Sequence, residues 1–208
     1  MKLINDDCIN VMQNYTDNYF DLAIVDPPYG IEKFTGRSFA RGGGKMRNNL
    51  LNRSEKKITD WDKTPTKKYF DELFRISKEQ IIFGGNYFDL PPYRCVIVWD
   101  KCQPFKSFSA VEIAWTSFNK PASIYKFDNR TVDKIHPTQK PVALYRWLLE
   151  NYAKPTDKII DTHLGSGSSA IASYYFGIKQ FVGIEIDKEY YNNAVNRIKR
   201  ETMQLKLI

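Results

Sequence analysis

The chain of 208 residues is 42% hydrophobic and 26% charged, with a net charge of +7. This length provides one sizeable α/β core but not two comfortable domains, and the composition is typical of a globular protein. The sequence contains no apolar run near the roughly 20 residues that span a bilayer. Acidic residues also interrupt the first residues before a signal peptide could form, so we expect a cytoplasmic protein.

The positive charge is concentrated in one segment. Residues 31–57 hold eight basic and two acidic residues, which account for six of the seven excess positive charges. Such a concentration predicts a polyanionic partner, although a solvated basic loop without a partner would look the same. The basic residues are Lys33, Arg37, Arg41, Lys45, Arg47, Arg53, Lys56 and Lys57.

The first part of the chain alternates short apolar runs with polar segments. The predicted elements are a strand at Lys2 to Asn5, a helix around Cys8 to Gln13, a strand at Leu22 to Val25, a helix starting near Thr64-Pro65, and strands at Gln80 to Phe83, Cys95 to Trp99 and Ala110 to Thr116. Apolar periodicity disappears between residues 32 and 60. We expect a long, mobile, basic loop there, since long loops in compact domains are usually functional or disordered.

The second part has clearer periodicity. Pro141 opens a helix, and a last helix carries apolar residues at the spacing i, i+3, i+4 and i+7. Between them we predict a strand at Lys158 to Ile160, a turn at Asp161 to Gly167, a helix at Ser168 to Phe176 and a strand at Gln180 to Ile186. Alternating strands and helices predict an open, mostly parallel α/β sheet with helices on both faces.

The turn from Asp161 to Gly167 is the first candidate site. Gly165 and Gly167 permit a close backbone approach to a ligand, and the following helix presents free N–H groups. Glu185 follows Gly165 by 20 residues, at the end of the next strand. Nucleotide-binding sheets place an acidic residue there to hold ribose hydroxyls. The third glycine of the dinucleotide fingerprint is missing, which favours a nucleoside without a pyrophosphate and argues against a dinucleotide-dependent oxidoreductase.

The second candidate site is Asp26-Pro27-Pro28-Tyr29, directly after a buried strand. The amine of a nucleobase is a poor nucleophile because its lone pair is delocalised into the ring. A carboxylate and a fixed backbone carbonyl that accept its two N–H bonds would direct the lone pair at a methyl donor. Tyr29 could stack on an extruded base. Ligands in open α/β sheets bind where strand order reverses, so we expect the two sites to meet there.

These residues resemble the beta-class amino-methyltransferases of DNA. Asp26 to Tyr29 matches that family's catalytic motif, and this motif precedes the glycine motif, which is the order of the beta class. The stretch from His136 to Pro141 matches the family motif that contacts the methionine end of the donor. Glu185 matches the ribose-binding position, and Asp7 matches the residue that reaches the donor's adenine. The resemblance implies a Rossmann-like methyltransferase fold with permuted motifs, an antiparallel hairpin strand on its C-terminal side, and S-adenosylmethionine as methyl donor.

Two features depart from the family pattern. Thr162-His163 stands where the family commonly has Pro-Phe, beside the donor. Only about 20 residues separate Trp115 from His136, where the family usually places its target-recognition region. We therefore expect one catalytic domain over residues 1–208 with a short target-recognition stretch at about 117–135.

The resulting prediction is an adenine-N6 DNA methyltransferase. N4 methylation of cytosine remains the alternative, although related enzymes for that target more often carry Ser at position 26; a non-catalytic DNA-binding subunit of the same fold is a further alternative. A homodimer and a restriction or specificity partner stay open. The predicted catalytic residues are Asp26, Pro27, Pro28 and Tyr29. The predicted donor-binding residues are Asp7, His136, Thr138, Lys140, Asp161, His163, Gly165, Ser166, Gly167, Glu185 and Ile186. The predicted DNA-binding residues are Lys33, Arg37, Arg41, Lys45, Arg47 and Arg53.

No metal site is predicted, because the cysteines and histidines lack metal-ligand spacing. Three cysteines, an odd number, also give no disulfide framework. We expect Cys8, Cys95 and Cys102 to be free thiols in or near the core.

Overall fold

The computed structural model describes residues 1–30, 63–102, 109–128 and 139–203. The basic segment at 31–57 therefore lies outside the described residues. Within them, none of the helices is long and apolar enough to cross a membrane.

The described residues form eight strands and five α-helices. The strands are β1 (Lys2–Ile4), β2 (Phe20–Val25), β3 (Ser77–Phe83), β4 (Val96–Asp100), β5 (Val111–Thr116), β6 (Ser123–Lys126), β7 (Lys158–Asp161) and β8 (Gln180–Ile184). The helices are α1 (Cys8–Met12), α2 (Lys67–Ile76), α3 (Val142–Tyr152), α4 (Ser168–Phe176) and α5 (Lys188–Met203), and a short 3₁₀ helix covers Gly85–Tyr87.

All eight strands join one sheet in the order β1-β8-β7-β2-β3-β5-β4-β6. β5 is antiparallel to both of its neighbours, and the remaining pairs are parallel. From β7 the chain continues to β8 on one side, whereas from β2 it continues to β3 on the other side. The strand order therefore reverses between β7 and β2, which places the predicted switch point there.

Helices cover both faces of the sheet, as the sequence predicted. Alternate residues of β2 point to opposite sides: Leu22 and Ile24 pack with α3, α4 and α5, whereas Ala23 and Val25 pack with α1 and α2. The continuous apolar run of β2 thus reflects burial of the strand on both faces.

Two expectations from the sequence differ from the structure. β6 was not predicted, and it pairs parallel with β4 at the sheet edge inside the stretch expected to recognise the target. The three cysteines are free thiols. Cys95 is buried and Cys8 is half-buried, in agreement with the expected position in or near the core. The expectation was wrong for Cys102, which is exposed because it follows β4 into a loop.

Candidate active site

The two predicted motifs meet at the switch point. Leu22 and Ala23 of β2 pair with Ile159 and Ile160 of β7, so these parallel strands end side by side. Asp26 follows β2, and the glycine turn follows β7. Neighbouring strand ends therefore bring the predicted catalytic motif and the glycine turn to the same edge of the sheet.

Both carboxylate oxygens of Asp26 have partners. The Tyr29 hydroxyl donates to Oδ1 at 2.7 Å, and the Lys140 ammonium lies 2.5 Å from Oδ2. Burial raises the pKa of the Asp26 carboxyl, and the positive charge of Lys140 opposes that rise. The two nearby carboxylates raise the pKa of Lys140 despite its burial, so this side chain stays charged. The neighbouring cation thus favours the ionised form of Asp26, against the effect of its burial.

Lys140 has a second carboxylate partner that the sequence did not reveal. Glu112 Oε2 lies 3.0 Å from Lys140 Nζ, and Lys101 Nζ lies 2.7 Å from Glu112 Oε1. Burial opposes ionisation of Glu112, but the two ammonium groups lower its pKa overall. A signal was present, because Glu112 is the charged residue of β5, whose other residues are apolar except for Thr116.

Tyr29 is held in place by the loop after β3. Its ring stacks on Tyr87 with a centroid distance of 5.0 Å and an interplanar angle of 20°. Gly84 has φ +69°, and a Cβ on this residue would lie 2.2 Å from Tyr29 Cε1. The ring of Tyr29 therefore occupies space that only glycine at position 84 leaves open.

The glycine turn is tied to the end of β8. Glu185 accepts a hydrogen bond from Gly165 N at 2.9 Å and one from Asp187 N at 3.0 Å. Gly165 and Gly167 have φ of +51° and +78°, which favours glycine at both positions. The acidic residue predicted from the spacing therefore lies against the turn.

The hydroxyl of Ser166 takes part in a buried network behind the turn. Arg197 of α5 donates through Nη1 to Ser166 O, Ser166 Oγ and Ser168 Oγ at 3.0, 3.1 and 2.9 Å. Arg197 was not predicted as a site residue. Its polar position on an otherwise core-facing stripe of α5 was the available signal.

Thr162 and His163, which differ from the common family pattern, form a polar chain with Tyr69. The Tyr69 hydroxyl lies 2.6 Å from Thr162 Oγ1, which lies 3.0 Å from His163 Nδ1. Burial lowers the pKa of His163 to about 4, so the ring is neutral at pH 7. Asp161 accepts from His163 N and from Ser169 Oγ, and burial raises its pKa to about 7.

Of the remaining predicted donor-binding residues, two lie within the described residues and two lie outside them. Asp7 caps α1 by accepting a hydrogen bond from Ile9 N at 2.7 Å. Its negative charge opposes the lowering of the His163 pKa by burial. Ile186 follows Glu185 and is 64% exposed. His136 and Thr138 lie outside the described residues, as do the six predicted DNA-binding residues.

A family model for DNA methylases, named for the N6 and N4 classes, matches residues 45–196. The chain belongs to this family. The matched range includes Lys140, the glycine turn and Glu185, and it begins after Asp26. In this DNA methylase family member, the predicted role of Asp26 is therefore supported by the geometry of its site and not by the matched range.

Known proteins of similar sequence or structure match nearly the whole chain. YubD of Escherichia coli strain K12 is 23% identical over 227 residues, which cover 95% of this chain and 89% of YubD. TTHA0409 of Thermus thermophilus, solved in complex with S-adenosylmethionine, has a TM-score of 0.60 at 15% identity, with 98% of this chain and 95% of that chain covered. The cytosine-N4-specific PvuII DNA methyltransferase has a TM-score of 0.62 at 13% identity, with 97% and 91% covered. These two solved structures therefore share the fold of this chain.

Proposed function

We propose that this DNA methylase family member transfers a methyl group from S-adenosylmethionine to N6 of adenine in DNA. One observation carries the proposal: the Asp26 carboxylate and the glycine turn lie at the ends of two paired parallel strands, β2 and β7. An acceptor for an amine and a backbone cradle for a nucleoside are thereby placed side by side.

The chain's own residues supply orientation and charge for the transfer. Asp26 accepts a hydrogen bond from one N–H group of the target amine, and the backbone carbonyl of Pro27 accepts a hydrogen bond from the other. Proline has a fixed φ and no N–H, so this carbonyl needs little reorganisation. The nitrogen lone pair forms the new N–C bond while the C–S bond breaks and its electron pair moves to sulfur. The nitrogen then releases one proton toward the Asp26 carboxylate or water.

The residues around the glycine turn fit the donor. Glu185 has a carboxylate at the end of β8 that suits ribose hydroxyls, and Gly165 and Gly167 allow close backbone contact. When bound, the donor supplies an electrophilic methyl group on a sulfonium. The neutral ring of His163 adds no positive charge beside that sulfonium. We assign Asp7, Asp161, Ser166 and Ile186 to the same donor site, and His136 and Thr138 by their motif.

DNA is the proposed partner, and the basic segment at 31–57 is the proposed contact with its phosphates. A cytoplasmic location accords with that substrate. A short target-recognition stretch at about 117–135 also remains a proposal, and so do a homodimer and a restriction or specificity partner.

Cytosine N4 is the second candidate target, because the same amine chemistry serves both bases. The PvuII enzyme is a cytosine-N4-specific protein of similar fold, but at 13% identity this likeness concerns the fold alone. The carboxylate at position 26 favours adenine, since related N4 enzymes more often carry Ser there.

Nucleoside mass spectrometry tests the proposal. Unmethylated DNA is incubated with the protein and S-adenosylmethionine and then digested to nucleosides. We expect N6-methyladenine. N4-methylcytosine would correct the base while keeping the mechanism, and DNA without methylated nucleosides, with donor binding intact, would favour a non-catalytic DNA-binding subunit.

A further inference from the structure

We propose that Glu112 is a positioning residue for methyl transfer, which acts through Lys140 on Asp26. The inference rests on the proposed function, because it concerns the carboxylate that accepts the target amine. Glu112 reaches the site because β5 is antiparallel to β3 and β4, so the beginning of β5 lies at the edge where the parallel strands end.

Lys140 lies between two carboxylates in a nearly closed space. Its Nζ is 2.5 Å from Asp26 Oδ2, 3.0 Å from Glu112 Oε2 and 4.6 Å from the centroid of the Phe83 ring. The exposed fractions of the side chains are 4% for Lys140, 15% for Asp26 and 22% for Glu112. At such burial the charges interact strongly with one another.

The buried oxygen of Glu112 is a costly feature. Oε2 is inaccessible to solvent and has no well-directed hydrogen bond within the described part of the chain, so its polar contact is the ion pair with Lys140. Burying a charged oxygen in this way is weak support for stability, since apolar residues of similar volume often pack as well or better. The arrangement is therefore better explained by the site than by the core.

The division of Lys140 between two carboxylates addresses a specific problem of the site. Both oxygens of Asp26 are already engaged, by Tyr29 and by Lys140. A target amine needs one of them as an acceptor, and it gains positive charge as the new bond forms. Glu112 shares the positive charge of Lys140, so Asp26 is not locked in one ion pair. The negative charge of Glu112 also offsets that of Lys140, which would otherwise oppose the positive charge that develops on the amine.

Glu112→Gln removes the charge of this carboxylate and keeps its shape. The matched control is Glu79→Gln on β3, whose carboxylate accepts from the Ser117 hydroxyl. We expect Glu112→Gln to lower kcat about tenfold, the cost of losing one charged partner, with little change in donor Kd. The acidic limb of the kcat–pH profile should move to lower pH, because Glu112 raises the pKa of Asp26.

A second readout does not depend on turnover. The Asp26 carboxyl is titrated by NMR in protein with ¹³C-labelled aspartate, with Asp26→Asn used to assign the signal. The midpoint should fall in Glu112→Gln, rise in Lys140→Met and return toward the wild-type value in Glu112→Asp. If wild-type protein makes no methylated nucleoside, the proposed function fails while this titration still decides the coupling.

Two results would overturn the inference. The first is an unchanged midpoint and an unchanged kcat in Glu112→Gln. The second is a loss of activity that matches a loss of thermal stability with no shift of the acidic limb, which is the pattern of a merely structural ion pair. If Glu112→Gln does not fold, Lys101→Met provides a second comparison, because it removes the other ammonium group that pairs with Glu112 and should raise the midpoint of Asp26.

Discussion

The ring of Tyr29 lies in the space that a side chain on Gly84 would fill. A Cβ built on Gly84 falls 2.2 Å from Tyr29 Cε1, and the same ring stacks on Tyr87 at 5.0 Å. The loop after β3 therefore fixes the aromatic residue of the predicted catalytic motif, although more than 50 residues separate them in sequence.

Gly84→Ala is expected to displace Tyr29 and to reduce methyl transfer about tenfold or more, since small misplacements at a reaction site are costly. Gly177→Ala is the matched control. Gly177 has φ +87°, yet a Cβ there meets nothing within 4 Å. Both variants carry a backbone cost of about 1 kcal/mol from a left-handed residue, so thermal unfolding measures that shared cost and turnover measures the displacement. Equal activity of the two variants would contradict the role of Gly84.

Asp26→Asn should abolish detectable methyl transfer and leave donor affinity within a fewfold of wild type. The amide keeps the shape of the side chain but loses the charge that polarises the amine. Single-turnover transfer and calorimetric titration of S-adenosylmethionine measure the two properties separately. Donor binding that disappears together with transfer would show that Asp26 belongs to the donor site instead.

Glu185→Gln should weaken donor binding about tenfold or more, because hydrogen bonds to a charged group contribute roughly 1.5 to 3 kcal/mol. The amide would also place an N–H group toward the backbone N–H of Gly165 or Asp187, both of which now donate to Glu185. Calorimetry compares this variant with Glu150→Gln, whose carboxylate pairs with Arg146 on the exposed side of α3. Unchanged donor affinity in Glu185→Gln would rule out its contact with the ribose.

Asp161 and His163 should make opposite contributions to the pH dependence of stability. Burial raises the pKa of Asp161 from 3.8 to about 7, so between these values the folded state holds a proton that the unfolded chain has lost, and this contribution falls as pH rises. Burial lowers the pKa of His163 from 6.5 to about 4, so its contribution is lost as pH falls through that range.

Urea unfolding between pH 4 and pH 6.5 tests this pair. In Asp161→Asn the rise from His163 is unopposed, and the slope of unfolding free energy against pH should be more positive than in wild type by up to about 1.4 kcal/mol per pH unit. The control is Asp71→Asn, because Asp71 is an exposed aspartate that pairs with Lys67 on the surface of α2. Parallel curves for wild type and Asp161→Asn would mean that Asp161 is ionised in the folded protein.

Neutralising Arg37, Arg41, Arg47 and Arg53 should weaken DNA binding and flatten its salt dependence. The slope of log K against log salt should shrink by about 0.9 for every arginine that contacts a phosphate. Fluorescence anisotropy at several salt concentrations measures the slope. A slope equal to that of wild type would exclude this segment as the DNA contact.

The sequence predicted the strands that position the site, because their apolar runs and the following polar motifs are local signals. The switch point was confirmed by the pairing of β2 with β7. β6 escaped prediction because it is four residues long and depends on pairing with β4. The contact between Glu112 and Lys140 escaped too, because it joins residues that only the reversed direction of β5 brings together. The network of Arg197 with Ser166 depends on how α5 packs, which periodicity does not specify.

The pairing of β1 with β8 has a consequence for folding. Lys2 pairs with Val182, and Asn5 donates from Nδ2 to the carbonyl oxygens of Glu185 and Ile186. On the ribosome, about 180 residues must be added before β1 meets its partner, roughly 10 to 40 s at ordinary synthesis rates. Contacts between such distant segments also close slowly. β1 is therefore made long before it can pair with β8, and the acidic side of the proposed donor site is completed only when these two strands pair.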